Sequence, residues 1–223
     1  MNRSFNKKGI IQILLELGKV RITLFVAVST SVGFILASGK VTWQMFFVTL
    51  GVFLLACGSS ALNHYQERNT DALMSRTKLR PIPSGAVTPH AALLIVILLS
   101  AAGLVILYFS GGLMVLLLGL LALAWYNAFY TPLKKATALA VVPGALIGSI
   151  PPVMGYVAAG GKVMNPEILA LALFFFIWQV PHFWLLLMIY AKDYEKAGFP
   201  VLTSLFNTKQ LTKITFAWIV PLP

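Results

Sequence analysis

The chain has 223 residues, of which 59% are hydrophobic and 10% are charged, and its mean hydropathy is +0.87. Soluble domains carry about 25% charged residues, so this composition excludes a water-soluble protein and indicates a polytopic membrane protein. The formal net charge is +11. The single cysteine, Cys57, excludes a disulfide within the chain and a cysteine-rich metal site.

Long apolar runs divide the chain into candidate membrane spans, each of which needs roughly 20 helical residues. The runs fall at 22–38, 43–62, 90–109, 112–130, 138–159 and 166–190, and a seventh begins near Ile214 and is cut off at Pro223. Each run should be helical, because backbone in contact with lipid must satisfy its own hydrogen bonds. The sequence therefore predicts an all-α fold, a polytopic transmembrane helix bundle in which residues 1–223 form a single domain.

Lysine and arginine residues are distributed unequally between the connections. Fifteen of the seventeen lie in the N-terminal segment or in connections two, four and six, whereas Lys40 and Lys162 are in the first and fifth connections. Cytoplasmic loops carry such a positive excess. The pattern predicts a multi-pass protein of the cell (inner) membrane with a cytoplasmic N-terminus. It also explains the net charge without a nucleic-acid partner.

Polar residues follow the second apolar run directly and form the first candidate site. Asn63, Glu67 and Asp71 are spaced i, i+4 and i+8, which places them on one face of a helix. One amide and two carboxylates can hold Mg²⁺, which takes its remaining oxygens from water and substrate phosphate. The alternative is a solvated segment at the end of a span, with no ligand.

Basic residues near this stripe are candidate contacts for a diphosphate, because cations beside a metal site suit a polyanion. Tyr130 precedes the second group of them by one helical turn. The alternative for these residues is that they only set the topology. The candidates are Arg76, Lys78, Arg80, Lys134 and Lys135.

The sixth run and the segment after it contain the third candidate group. Trp178 and His182 are spaced i, i+4 in this run, and Asp193 comes eleven residues after His182. On a continuous helix, eleven residues return to the same face within about 20°. An intramembrane histidine can be a proton acceptor, a ligand to a metal-bearing substrate or a packing residue.

Four segments carry recognisable motifs in order along the chain. They are Asn63-x3-Glu67-x3-Asp71 with its continuation to residue 83, YTPLKKAT at 130–137, PPVMGY at 151–156, and PHFW at 181–184 followed by DYxxAGxPVL at 193–202. Together they resemble the motifs of the UbiA-type intramembrane prenyltransferases, in particular the protoheme IX farnesyltransferase (haem O synthase) branch. The resemblance extends over about residues 18–206.

The chain departs from that family pattern at three positions. Glu67 stands where the family usually has aspartate, and Val20 stands where proline is common between a lysine and an arginine. Ile189 takes the place of the first acid in the second acidic motif, D-x-x-x-D, so that Asp193 remains as its second acid. A longer carboxylate still supplies oxygen ligands, but its reach differs.

The resemblance implies an enzyme that transfers the farnesyl group of farnesyl diphosphate to a vinyl group of haem B, making haem O with Mg²⁺-assisted loss of diphosphate. It implies a nine-helix bundle in the lipid bilayer, of which this chain would lack the C-terminal part. Association with haem A synthase or terminal oxidase assembly is a further expectation. By this resemblance the metal ligands are Asn63, Glu67, Asp71 and Asp193, the catalytic residues also include Tyr130 and Lys134, and the substrate-binding residues are Arg76, Lys78, Arg80, Lys135, His182 and Trp184.

Two other functions remain open from the sequence. One is a UbiA-type enzyme that prenylates an aromatic quinone precursor, although the PHFW segment argues against it. The other is a membrane transporter with an acidic site at the midplane. The chain shows no convincing internal repeat, and its acids lie at the cytoplasmic edge of the predicted spans. Both observations argue against the transporter.

Overall fold

The computed structural model describes residues 9–220, and every regular element within them is helical, which confirms the predicted all-α fold. Arg3, Lys7 and Lys8, which contribute to the predicted positive side, lie outside the described residues. The helices are α1 Ile10–Leu17, α2 Val20–Ser38, α3 Trp43–Leu73, α4 Pro89–Ala124, α5 Thr131–Ala136, α6 Val141–Gly144, α7 Leu146–Ala158, α8 Pro166–Ile189, α9 Ala191–Lys196, α10 Leu202–Leu205 and α11 Thr208–Ile219. A π-helical turn, Trp125–Tyr130, joins α4 to α5, and a 3₁₀ turn, Ala138–Ala140, precedes α6.

Five helical segments of residues 9–220 are long and apolar enough to cross a membrane, so the chain is a multi-pass membrane protein. One of them, Pro89–Ala136, has 48 residues, about twice what a crossing needs. Gly112, with φ 77° and ψ −175°, interrupts it. A Cβ on Gly119 would lie 3.1 Å from the Leu107 side chain, whereas twelve residues of straight helix would separate them by about 18 Å. The chain therefore turns back at Gly112, which separates the two predicted runs 90–109 and 112–130.

Two helices differ in extent from the apolar runs that predicted them. The run 43–62 continues as helix through the polar stripe to Leu73, so that α3 has 31 residues. The last helix begins at Thr208, earlier than the predicted start near Ile214. The reason is a capping box in which Asn207 and Gln210 satisfy each other's backbone amides, as polar residues at helix starts commonly do.

The helix that carries His182 does not continue to Asp193. Tyr190, with φ −106° and ψ 14°, lies between the end of α8 at Ile189 and the start of α9 at Ala191. The expectation that His182 and Asp193 share a helical face is therefore wrong, because the eleven-residue periodicity requires an unbroken helix.

Backbone-to-backbone contact joins α2 to α7 and depends on two glycines. A Cβ on Gly33 would lie 1.9 Å from the carbonyl oxygen of Pro152, and a Cβ on Gly155 would lie 1.9 Å from that of Thr30. Close approach of this kind between small residues is typical of helix packing in membranes. The main apolar core, which includes Phe34 and spans α2, α3, α4 and α7, forms beside this contact.

Candidate functional site

One face of α3 buries four polar side chains in its last turns. Asn63, His64, Glu67 and Asp71 are 1%, 2%, 4% and 0% exposed. The predicted stripe on one helical face is thus present, and it faces the protein interior. Buried polar groups need compensating partners, so the elements packed around this face decide what the stripe can do.

Cations from three different segments face the stripe. Arg80, in the loop after α3, donates from Nη1 to both carboxylate oxygens of Asp71 at 2.8 and 2.7 Å. The Nζ of Lys134, on α5, lies 2.5 Å from Oε1 of Glu67. The Nζ of Lys19, between α1 and α2, donates to Oδ1 of Asn63 at 3.4 Å. Each polar residue of the stripe other than His64 therefore has a positive neighbour.

The stripe forms one wall of a cavity of about 500 Å³. Charged and polar groups gather at the end formed by α3, and apolar side chains gather between the 3₁₀ turn and α8. The polar lining includes Glu16, Lys19, Asn63, His64, Glu67, Asp71, Arg76, Arg80, Tyr126, Tyr130, Lys134 and Tyr194, and the apolar lining includes Ala138, Ala140, Val141, Phe183, Leu186 and Leu187. A cavity of this shape suits an amphiphile with an anionic head.

The charge inside the cavity favours an anion. Burial, followed by the nearby cations Arg80 and Lys134, lowers the pKa of Lys19 from 10.5 to about 7, although Glu67 and Asp71 act in the opposite direction. The charged form of Lys19 is therefore less favoured than in water, chiefly because the side chain is buried. A polyanion beside Lys19 would stabilise that charged form and would itself bind more tightly for the same reason.

A π-helical turn, Trp125–Tyr130, packs against α3 and contributes two rings to the cavity wall. Such turns are rare in proteins, and those that occur are often found at functional sites. The rings of Tyr126 and Tyr130 stack with centroids 5.8 Å apart and planes inclined by 16°, and both residues line the cavity. Asn127 anchors the turn to α3, because its side chain accepts from Ser59 Oγ at 2.6 Å and donates to Ser59 O and to Gln66 Oε1.

A second hydrogen-bond chain orients Asn63. Its Nδ2 donates to Thr131 Oγ1 at 3.2 Å, and that hydroxyl donates to the carbonyl oxygen of Tyr126 at 2.9 Å. With its amino group held in this way, Asn63 presents its carbonyl oxygen towards Lys19. The carbonyl oxygen of Asn63 is therefore oriented by Thr131, which lies outside the cavity lining.

The structure brings seven of the predicted site residues together in the cavity lining. The other five lie elsewhere, and the roles expected for them remain predictions. Those in the cavity are Asn63, Glu67, Asp71, Arg76, Arg80, Tyr130 and Lys134, and those outside its lining are Lys78, Lys135, His182, Trp184 and Asp193.

Asp193 contacts the loop after α3 instead of the cavity. Its Oδ2 accepts a hydrogen bond from the backbone N–H of Arg76 at 3.2 Å. The guanidinium of Arg76 lies over the ring of Tyr190, 5.0 Å from its centroid. These contacts join the α8–α9 junction to the loop that carries Arg80, next to the cavity.

His182 and Trp184 lie on different sides of α8. His182 is exposed and stacks on Trp178 with ring centroids 5.0 Å apart. Trp184 is 4% exposed, and its ring contacts that of Trp218 in the cluster that α8 forms with α11. The two neighbours in sequence therefore face different surroundings.

Comparisons with known proteins identify relatives for almost the whole chain. The sequence profile described as "UbiA prenyltransferase family" matches residues 26–222. The chain belongs to the UbiA prenyltransferase family. It is 42% identical over 189 residues to a protoheme IX farnesyltransferase of Geobacter sulfurreducens, covering 85% of this chain and 70% of the relative. It is 40% identical over 186 residues to a protoheme IX farnesyltransferase of Oleidesulfovibrio alaskensis, covering 83% of this chain and 66% of the relative. The chain thus spans about two thirds of the length of these relatives.

Solved UbiA structures share the fold at low sequence identity. A UbiA homologue from Archaeoglobus fulgidus bound to GPP and Mg²⁺ has a TM-score of 0.72 and 16% identity, over 93% of this chain and 74% of that one. The apo UbiA homologue from Aeropyrum pernix K1 has a TM-score of 0.73 and 22% identity, over 90% and 75%. At these identities the comparison establishes the UbiA fold.

The residues of this UbiA-family chain fit a magnesium ion at the α3 stripe. Asn63, Glu67 and Asp71 offer the oxygen donors that Mg²⁺ prefers, on a single buried face. The cations that face these oxygens show that the stripe already attracts positive charge. In residues 9–220 no three His, Cys, Asp or Glu residues are grouped to hold a metal on their own. Completion of the coordination by phosphate and water is in keeping with Mg²⁺ chemistry.

The structure adds cavity residues of the UbiA fold that the sequence did not indicate. The sequence places Lys19 only among the topology-setting charges and assigns no role to Tyr126 or Tyr194. Within residues 9–220, His64 is buried and neither of its ring nitrogens has a hydrogen-bond partner. Its position between Asn63 and Glu67, one helical turn before the latter, was the available signal, because such a residue must lie within the same 100° sector of α3.

Proposed function

We propose that this chain carries the prenyl-transfer site of a protoheme IX farnesyltransferase, which joins the farnesyl group of farnesyl diphosphate to a vinyl group of haem B. The observation that supports this most directly is the cavity in which buried carboxylates alternate with lysine and arginine beside an apolar groove. The similarity to proteins named protoheme IX farnesyltransferase supports the choice of haem as acceptor.

The reaction breaks the bond between C1 of the farnesyl group and diphosphate and forms a bond from C1 to the vinyl carbon. Water then adds to the resulting cation, giving a hydroxyethylfarnesyl side chain and releasing a proton. Arg80 and Lys134 donate to the diphosphate oxygens as their negative charge grows, which is where preorganised donors lower a barrier. Asn63, Glu67 and Asp71 would hold Mg²⁺, which supplies charge neutralisation of the leaving group.

The apolar and aromatic parts of the cavity suit the isoprenoid. Phe183, Leu186 and Leu187 line a groove for the tail, whose burial is worth about 0.8 kcal/mol per CH₂. The stacked rings of Tyr126 and Tyr130 offer a π-face to the allylic cation, an attraction of roughly 2 kcal/mol when desolvated. A water-poor site protects that cation until the vinyl group attacks it.

Mass spectrometry of extracted haem tests the proposed function. Cells that lack their own haem O and express the full-length protein should accumulate haem B enlarged by one farnesyl group and one hydroxyl group. The same membranes should give no prenylated product from 4-hydroxybenzoate. Prenylated 4-hydroxybenzoate with unchanged haem would instead establish the quinone-precursor reaction. Substrate flux into liposomes without diphosphate release would establish a transporter.

His182 is assigned to the haem half of the reaction, and the substrate-binding role of Trp184 stays a prediction. The stacked Trp178–His182 pair is exposed on α8 and can meet a lipid-soluble ligand. The substitution His182→Ala should weaken haem binding, measured by haem absorbance, while binding of a non-hydrolysable farnesyl diphosphate analogue stays near that of the wild type. Unchanged haem binding and transfer would make His182 a packing residue.

The orientation in the membrane is part of this proposal. An inner-membrane protein with a cytoplasmic N-terminus places connections two, four and six, and hence the cavity, on the cytoplasmic side. Association with haem A synthase or terminal oxidase assembly remains a prediction.

Cysteine labelling tests this orientation at four exposed positions. The variants Lys40→Cys and Lys162→Cys should react with an impermeant thiol reagent from the periplasm, and Arg76→Cys and Lys135→Cys only after the membrane is opened. Cys57 is buried, so its own labelling should be weak. Labelling of all four positions from one side would contradict the topology and the site location together.

A further inference from the structure

We propose that Lys19 is a diphosphate-binding residue, and that a left-handed backbone conformation at this position aims its amine at the site. The inference rests on the proposed function and extends it, because it assigns a ligand contact to the turn between α1 and α2. Lys19 is otherwise one of the fifteen basic residues on the positive side of the membrane.

The backbone at Lys19 is strained. Its φ of 46° and ψ of 47° lie in the left-handed region, and it is the one non-glycine residue of the described range with positive φ. Side chains with a Cβ are disfavoured there, and such conformations persist when the surroundings over-determine them, commonly at functional sites. An observed outlier of this kind beside a cavity calls for a functional explanation.

Hydrogen bonds on both sides hold the turn in this conformation. The N–H of Lys19 donates to Glu16 O at 3.2 Å, and its carbonyl oxygen accepts from Ile22 N at 2.8 Å and from Thr23 N at 3.1 Å. Thr23 Oγ1 also bonds the carbonyl oxygen of Gly18 and contacts Cys57 Sγ at 3.4 Å. The turn is therefore fixed to α1, α2 and α3 independently of the Lys19 side chain.

The amine itself has an incomplete set of partners. Its hydrogen bond goes to the amide oxygen of Asn63 at 3.4 Å, a long contact to a neutral group. An ammonium has three donors and is strongly hydrated when exposed, so this placement in the cavity lining leaves it poorly compensated. Phosphate oxygens arriving beside Asn63 would complete its bonding.

Arg21 provides the matched comparison. It lies two residues away on the same side of the predicted topology, but it is exposed and lies outside the cavity lining. If Lys19 only sets topology, removal of its side chain should affect diphosphate affinity as little as removal of Arg21. If Lys19 contacts the diphosphate, its removal should weaken that affinity much more.

Calorimetric titration of the full-length protein in nanodiscs with inorganic diphosphate and Mg²⁺ tests the inference. Lys19→Met should weaken binding about 10- to 100-fold, the range for a hydrogen bond to a charged group, while Arg21→Met changes it less than about threefold. Lys19→Arg should retain most of the affinity. Farnesol, which lacks phosphate, should bind with the same affinity to all variants.

The variant Lys19→Gly tests the contribution of the amine separately from that of the left-handed backbone conformation. Glycine accepts the left-handed conformation without strain, so the unfolding temperature of Lys19→Gly should equal or exceed that of the wild type, while its diphosphate binding is weakened as much as in Lys19→Met. Wild-type affinity in Lys19→Met or Lys19→Gly would overturn the inference and leave the proposed function intact. If wild-type protein fails to bind diphosphate, the proposed function fails and this inference with it.

Discussion

The substitution Asp71→Asn should reduce farnesyl transfer by about 10²- to 10³-fold, the cost of removing one preorganised electrostatic group from an active site. Asparagine keeps the shape of the side chain, which is 0% exposed, but removes the negative charge that faces Arg80 and would face Mg²⁺. The measurement is haem O formed by membranes that contain equal amounts of folded protein.

Two controls accompany the Asp71→Asn experiment. Glu195→Gln removes an exposed acid outside the cavity lining and should leave activity unchanged. In the wild type, EDTA should abolish transfer and excess Mg²⁺ should restore it. Loss of the acid also leaves Arg80 without its partner, so thermal unfolding is measured in parallel to separate lost catalysis from lost structure. Full activity of Asp71→Asn would mean that the stripe has no part in the reaction.

The substitution Gly155→Val should destabilise the protein by about 3 kcal/mol or more, at the upper end of overpacking costs. The added Cβ would lie 1.9 Å from the carbonyl oxygen of Thr30, a backbone atom that cannot rotate away. The α2–α7 contact must then open. We expect a lower unfolding temperature in detergent and faster loss of the folded form on heating.

Gly9→Val is the matched control for Gly155→Val. Among residues 9–220, a Cβ on Gly9 would have no neighbour within 4 Å, so the same change of residue should leave the unfolding temperature nearly unaffected. Equal stability of the two variants would mean that the helices are not in backbone contact in the membrane.

The helical period explains why much of the site could be predicted from the sequence. Asn63, Glu67 and Asp71 share a face on any helix, so their grouping required no knowledge of the tertiary fold. The partners Arg80 and Lys134 followed from charge next to an acidic stripe. Which cation faces which acid could not be predicted, because it depends on the packing of α3 against α5 and on the loop after α3.

The rest of the site depends on local backbone geometry that periodicity does not describe. Tyr190 interrupts the helix after α8 and turns Asp193 towards the backbone of Arg76. Lys19 reaches the cavity through a left-handed turn, which is unusual for a non-glycine residue. The π-helical turn brings Tyr126 and Tyr130 into a stack. None of these features leaves a regular pattern in the sequence.

The length of α3 sets the depth of the reaction in the membrane. Its 31 residues make it about 46 Å long, whereas the hydrocarbon layer of a bilayer is about 30 Å thick. Trp43, which is 79% exposed at its start, suits the opposite lipid–water interface. At 1.5 Å per residue, a rise of 30 Å from Trp43 reaches Asn63, so Asn63 and the two acids that follow it lie at headgroup depth. A farnesyl diphosphate molecule can therefore diffuse in laterally from one leaflet with its tail in the acyl chains, and the released diphosphate leaves for the water without crossing the hydrocarbon.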